Sequence, residues 1–276
     1  MRGLVLEVRN IALSFGGIHA LRDVSFVAGE GDITSVIGPN GAGKTCLFNV
    51  ISGFYRPQKG QVFCAGVDIT KMASHRRAGV GIGRTFQNVA LYEGMNVLEN
   101  IKLGAHPHLK TGLLSACVFR GPAAREEAAL EARIEVDILD FLDLGDVRDA
   151  PISALPYGMQ KRVELARALA SQPRILLLDE PIAGMNQEEI GEMVRYVREI
   201  KRQWNMTILL VEHDMSVVMD ISDKVVVVNF GEKIAEGGTA EVQSDARVIE
   251  AYLGTGTGAS TAGRETAAAG NGRQNG

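Results

Sequence analysis

This 276-residue sequence predicts an α/β protein whose sheet is interrupted by a helical insert, and three observations carry that prediction. Short, β-branched apolar runs end in glycine-rich or acidic segments, which marks buried strands. One run, Ile33-Thr34-Ser35-Val36-Ile37, leads into Gly38-Pro39-Asn40-Gly41-Ala42-Gly43-Lys44-Thr45. A helical stretch starting Cys46-Leu47-Phe48 follows. Strand signals then fade near residue 88 and return near residue 171, with helical periodicity between them.

In chain order, residues 4–8 and 24–27 read as strands around a turn-rich stretch, Ser14-Phe15-Gly16-Gly17. Residues 61–64 form a short strand after the turn Arg56-Pro57-Gln58-Lys59-Gly60. Residues 80–85 form a glycine-rich strand that runs into Phe86-Gln87-Asn88. From 125 to 142, Leu130, Ile134, Ile138 and Phe141 recur at spacings of four, four and three, which predicts an amphipathic helix. Residues 160–170 give a second helix. The sheet resumes with Ile175-Leu176-Leu177-Leu178 before Asp179-Glu180-Pro181. A helix over 188–204 follows, with Ile190, Val194, Val197 and Trp204 on one face. Strands at 207–211, 225–229 and 233–235 and a helix at 247–253 complete the pattern. The boundaries are therefore a core of 1–88 plus 171–254, an insert of 89–170, and a tail of 255–276. The tail is small, polar and expected to be disordered.

Twenty-nine basic residues against 33 acidic ones leave a net charge of −4, which argues against nucleic acid as a partner. Cys46, Cys64 and Cys117 are scattered and read as small hydrophobes. His106 and His108 lack a third ligand and do not make a metal site. No apolar run approaches the roughly 18 residues of a membrane span, and Met1-Arg2-Gly3 opens no signal peptide. The expectation is a soluble protein that reaches a membrane only through partner chains.

Gly38 to Thr45 fits the phosphate-loop pattern, and strand, loop and helix follow in the order it requires. Glycines let the backbone wrap a phosphate chain, while the helix N-terminus supplies N–H donors and positive dipole. Lys44 can reach the β- and γ-phosphates, and the Thr45 hydroxyl can ligate Mg²⁺. Asp179, at the end of a hydrophobic strand, is the candidate second Mg²⁺ carboxylate. Glu180 stands where a carboxylate can deprotonate the attacking water. Gln87 and His213 also follow predicted strands. In a parallel sheet, four such strand ends put their polar groups on one rim.

Together with Leu155-Pro156-Tyr157-Gly158-Met159-Gln160, these segments resemble the ATP-binding cassette of ABC transporters, over nearly the whole chain except the tail. Ile51-Ser52-Gly53-Phe54-Tyr55-Arg56-Pro57, Arg84-Thr85-Phe86-Gln87-Asn88, Ala183-Gly184-Met185-Asn186 and Ile249-Glu250-Ala251-Tyr252-Leu253-Gly254 narrow it. They look like the ATPase subunit of branched-chain (hydrophobic) amino acid importers. The resemblance implies a mixed sheet core, an antiparallel β-subdomain and an inserted helical subdomain. It implies ATP and Mg²⁺, with Phe15 on adenine and Gly38 through Cys46 around the phosphates. Thr45, Gln87 and Asp179 would serve the metal. Lys44, Glu180 and His213 would be catalytic, Glu180 as base and His213 at the γ-phosphate. Residues 89–100 would touch a membrane subunit, and the signature 155–160 would complete a partner cassette's ATP site. The implied assembly has a second ATPase, two transmembrane permease subunits and a periplasmic or extracellular solute-binding protein, at the cytoplasmic face of the cell membrane.

The family signature reads Leu-Ser-Gly-Gly-Gln. Here Pro156 replaces serine, Tyr157 a glycine and Met159 the glutamine. Pro156 has neither hydroxyl nor N–H and cannot donate to a γ-phosphate. Asn186 stands where many cassettes have aspartate. These departures point to a heterodimer with unequal sites. Urea, amide or aromatic-acid import is the alternative cargo. An ABC-type ATPase acting on nucleic acid or ribosomes is disfavoured by the single cassette and the negative charge. A sensor without turnover is disfavoured by Glu180 and His213 together.

Overall fold

The computed structural model describes residues 4–85, 90–105 and 122–253. The chain opens with a hairpin, β1 (Leu4–Phe15) and β2 (Ile18–Gly29), closed by Gly16 and Gly17, both at positive φ. Strand β3 (Ile33–Ile37) runs into helix α1 (Lys44–Ser52), and β4 (Lys59–Cys64) returns to pair with β1. After β5 (Val67–Asp68), helix α2 (Ser74–Arg77) leads to β6 (Ile82–Arg84). Helices α3 (Val97–Gly104), α4 (Pro122–Ile134) and α5 (Tyr157–Ala170) follow, with α4 continuing as a π-helical turn over Glu135–Leu139. The rest is β7 (Ile175–Asp179), α6 (Gln187–Trp204), β8 (Thr207–Val211), α7 (Met215–Ile221), β9 (Lys224–Asn229), β10 (Glu232–Gly237), α8 (Thr239–Ser244) and α9 (Ala246–Leu253).

Two sheets result. The smaller is antiparallel, in the order β2-β1-β4-β5, and the larger has the order β10-β9-β3-β8-β7-β6. In the larger sheet β9, β3, β8, β7 and β6 run parallel, and β10 pairs antiparallel at the edge. Strands β3, β7 and β8 are buried along their whole length. The unbroken apolar runs of β7 and β8 therefore split between two cores with a period of two. Leu176, Leu178, Ile208 and Leu210 face the side packed by α3, α5 and α6. Ile175, Leu177, Leu209 and Val211 face α1 and the small sheet, meeting Leu47, Phe48, Leu6 and Phe26. Helix α1 is thus held between the two sheets. Its C-terminal carbonyls, Val50 O and Ile51 O, accept from the buried Arg77 guanidinium at 2.7 and 2.6 Å.

Several boundaries differ from the expected ones. Strand β1 does not stop at residue 8, because a bulge carries the pairing on. Leu6, Val8, Ile11 and Leu13 are all buried, and the register shifts between Val8 and Ile11. Asn10 takes φ 51 there and hydrogen-bonds Asp23, itself at φ 56. The shift breaks strict alternation and hides the second half of the strand. Strand β6 is shorter than 80–85, since Ala78–Val80 coil into a 3-10 turn. Trp204 is 37% exposed and rests on Phe141, while Met193, Tyr196 and Ile200 fill the buried face of α6. Helices α7 and α8 were not expected; seven and six residues are too few to show a 3.6-residue period. Gln87, the 106–121 connection with its two histidines, Cys117 and the 254–276 tail lie outside the described residues.

Candidate nucleotide site

The site is built on β3, the central strand whose neighbours are β8 and β9. Its last residue is followed by Gly38, at φ 150, where a Cβ would lie 1.9 Å from Val228 O. Gly43, at φ 105, would meet Ala20 O at 2.6 Å. No side chain fits at either position, so the backbone turns tightly between β9 and β2. The loop is braced from outside as well. Gly231 N–H donates to Ala42 O at 2.9 Å, and Gly38 N–H donates to the Tyr252 hydroxyl of α9. Pro39 is half-buried, whereas Asn40, Gly41 and Thr45 are exposed at the rim. Cys46 is half-buried against the α1 core, where burial pushes its thiol up.

Lys44 is buried, and its Nζ donates to Gly38 O at 2.7 Å and Pro39 O at 3.0 Å. Its ammonium thus closes the loop on itself. Burial pulls its proton affinity below the ordinary lysine range, and the charges of Glu180 and Asp179 oppose that pull. Those two carboxylates end β7, two strands from β3, and Lys44 lies within their field. The sequence-predicted residues of loop and strand end are therefore brought together.

Asp179 is 1% exposed. Its Oδ2 accepts from Arg84 Nη2 at 2.9 Å, while its Oδ1 is buried without a hydrogen-bond partner among the described residues. Burial raises the carboxyl above its usual range, and the Arg84 guanidinium opposes this. A buried acceptor with an unmet lone pair, on a carboxylate whose charge reaches Lys44, fits a divalent cation or its bound water. Glu180 sits at φ 50, in the left-handed region, and its N–H donates to Val211 O at 2.9 Å. His213 follows β8 and its side chain is 61% exposed. Since β3, β8, β7 and β6 are contiguous and parallel, their carboxyl ends share one rim. Phe15 stands at the tip of the β1–β2 hairpin, 45% exposed, with its ring edge-on to Tyr55 at 5.1 Å.

The signature stretch opens α5. Leu155 is buried, Pro156 is the residue before the helix, and Gln160 Nε2 turns back to Leu155 O at 3.0 Å. Tyr157 is exposed and packs near Gly184, while Gly158 is buried where a Cβ would strike Glu189 Oε1 at 2.3 Å. Met159 is half-buried against the helical core. The signature therefore contacts the segment that leaves Glu180. Asn186 N-caps α6 there, accepting from Glu188 and Glu189 N–H at 3.0 and 3.1 Å.

Sequence reasoning missed two residues. Arg84 pairs with Asp179 and also donates to Asn49 Oδ1 at 2.8 Å and to the Ser52 hydroxyl, joining β6, β7 and α1. Glu212 is wholly buried between the Glu180 and His213 turns. A charged residue at the end of an apolar strand was the available signal in both cases; the neighbours Gln87 and His213 drew the reading instead.

A phosphate loop at the carboxyl edge of a parallel sheet, with Lys44 beside two acidic strand-end residues, is the site of a nucleoside-triphosphate-binding ATPase. Residues 21–183 match the ABC transporter family, and residues 232–257 match the branched-chain amino acid ATP-binding cassette transporter family. The chain is 39% identical to the high-affinity branched-chain amino acid transport ATP-binding protein BraF of Pseudomonas aeruginosa, over 91% of this chain and 98% of that protein. It is 40% identical to LivG of Salmonella typhimurium, of the same description, with the same coverage. A nucleotide-free ATP-binding cassette from an ABC transporter superposes with a TM-score of 0.78 at 34% identity, covering 91% of this chain and 99% of that one. The ADP conformation of such a cassette superposes equally well at 35% identity. The chain belongs to the ABC transporter family, as an ATP-binding and ATP-hydrolysing cassette. Among the described residues, no helix is long and apolar enough to cross a membrane.

Proposed function

We propose that this cassette powers uptake of branched-chain or other hydrophobic amino acids. It would do so with a second cassette, two membrane permease subunits and an external solute-binding protein, at the cytoplasmic membrane face. The match of residues 232–257 to the branched-chain amino acid cassette family, together with the BraF and LivG relatives, supports the cargo. The convergence of Lys44, Asp179 and Glu180 is the observation that carries the chemistry.

In this reading ATP lies along the loop 38–46, with adenine against Phe15. Lys44 leaves the Gly38 and Pro39 carbonyls, which are uncharged acceptors, for the more negative β- and γ-phosphate oxygens. Thr45 and Asp179, with Gln87, would hold Mg²⁺, which neutralises phosphate charge when bound. Glu180 takes the proton of the attacking water, and His213 contacts the γ-phosphate. The signature at the start of α5 turns its free N–H groups toward the partner's nucleotide.

The test is Glu180→Gln in the assembled transporter. Nucleotide binding stays, ATP turnover falls about 100-fold or more, and leucine uptake into vesicles stops. Wild-type turnover in that variant would remove Glu180 as the base. Turnover without uptake of any branched-chain amino acid by the wild-type complex would refute the cargo.

A further inference from the structure

Glu212 ends up wholly buried at the point where β8 gives way to His213. Its two oxygens serve two different turns. Oε1 accepts the Ile182 N–H at 3.1 Å, and Oε2 accepts the His213 N–H at 3.2 Å. Among the described residues its ion-pair partner is the His213 ring alone, with Nδ1 at 3.9 Å. Burial pushes its carboxyl up, and the neighbouring Glu180 charge adds to that. A buried carboxylate with two backbone donors and no close guanidinium or ammonium is a poor way to stabilise a fold. Desolvating the charge offsets much of what the two backbone hydrogen bonds return. The group therefore calls for a reason other than stability.

The reason lies in what it holds. Glu180 occupies the left-handed region at φ 50, a conformation that strains a glutamate and persists only where its surroundings over-determine it. The turn that carries it is tied to the end of β8 at two points. Glu180 N–H donates to Val211 O at 2.9 Å, and two residues later Ile182 N–H donates to Glu212. Inside the turn, Ala183 N–H donates to Glu180 O and Met185 N–H to Ile182 O, both at 3.2 Å. On the other side, Asp214 caps α7 by accepting from Ser216 N–H at 2.9 Å, which fixes the far end of the His213 turn.

We infer that Glu212 is a positioning residue that clamps the Glu180 turn to the His213 turn, so that both side chains approach a nucleotide as one unit. The inference rests on the proposed roles of Glu180 and His213. It goes beyond them by assigning the hydrogen-bonded carboxylate that couples the two. Glutamine at 212 keeps the size but sets its amide N–H against one backbone N–H. Leucine removes both acceptors and leaves the Ile182 and His213 N–H groups unpaired.

The experiment compares wild type, Glu212→Gln, Glu212→Leu, Glu180→Gln, His213→Ala and the Glu212→Gln/His213→Ala pair in the assembled transporter. Both Glu212 variants are expected to lose about ten- to hundred-fold in kcat, the scale of a 1 Å misplacement. Their KM for ATP stays within about twofold, because uniform binding is untouched. The melting temperature of Glu212→Leu falls, because two backbone N–H groups lose their acceptor, so the kcat-against-KM split in Glu212→Gln, which keeps one acceptor, separates positioning from stability. The double variant loses less than the product of the single losses, because the clamp acts partly through His213. Amide exchange at Ile182 and His213 speeds up in Glu212→Gln. Wild-type kcat in both variants, or unchanged exchange at Ile182 in Glu212→Gln, would each overturn the clamp. Failure of the functional reading shows separately, as full turnover in Glu180→Gln, and the exchange measurement still decides the clamp in that case.

Discussion

Arg84 shows how one residue can set the state of a site it was not expected to touch. Its guanidinium pairs with Asp179 across β6 and β7, with side chains 10% and 1% exposed. Removing one member of such a buried pair leaves the other charge without compensation, which costs about 3–5 kcal/mol. Arg84→Met is therefore expected to lower unfolding free energy by that amount in urea melts. Asp179→Asn in the same chain should recover at least about 1 kcal/mol of the loss, because the orphaned charge is gone. Strictly additive losses would mean that Arg84 works through Asn49 and Ser52 instead. Position 84 also marks a limit of sequence reading. Its charge was visible, but its partner lies 95 residues away on a neighbouring strand. Only the parallel pairing of β6 with β7 brings the two together. Lys44, Asp179 and Glu180 were legible because loop, strand and acid follow one another locally. Glu212 was not, because its partner Ile182 belongs to another turn.

At the scale of elements, long periodic segments were readable and short or bulged ones were not. Helix α6 announces itself by eighteen residues of amphipathic pattern, whereas the β1 bulge at Asn10 conceals half a strand. The joint between the helical segment and α6 belongs to the unreadable class. Tyr196, wholly buried on α6, donates its hydroxyl to Asp143 Oδ2 at 2.7 Å and to Leu142 O at 3.3 Å. Burial, aided by the Asp143 bond, pushes the phenol up to about 12. The same bond holds the Asp143 carboxyl below its usual range. A carboxylate with a depressed folded-state pKa contributes stability that is present above its unfolded value and is lost as pH falls through the folded one. Tyr196→Phe is accordingly expected to cost about 1 kcal/mol at neutral pH. The gap to wild type should shrink as pH falls from the ordinary carboxylate value of the unfolded chain through the lower folded one, where Asp143 takes up its proton. Asp143 is exposed, so any purely ionic share is screened. Urea melts at neutral and acid pH check this. A pH-independent gap would assign the hydroxyl's effect to the Leu142 carbonyl.

For the whole molecule, the decisive feature is that one half of the site is well formed and the other half is altered. The phosphate loop is braced by β2, by the Phe230-Gly231 turn and by Tyr252 of α9, and it faces two strand-end carboxylates. The signature, by contrast, opens α5 with Pro156, which provides no side-chain cap. A serine there would cap the helix and offer a hydroxyl to a phosphate held by another chain. Both gains are about 1 kcal/mol, and they separate by experiment. The cap acts within the isolated chain, so Pro156→Ser should raise its unfolding free energy with no nucleotide present. In the proposed two-cassette assembly the phosphate contact exists only between the cassettes, so there the same substitution should tighten ATP at the site this chain would complete by about fivefold. Titrating ATP into the assembled transporter, with turnover blocked by Glu180→Gln, measures the second effect. Two distinct affinities that converge in Pro156→Ser would establish the proline as the source of asymmetry between the sites. A gain in stability alone would show that serine at 156 acts only as a helix cap.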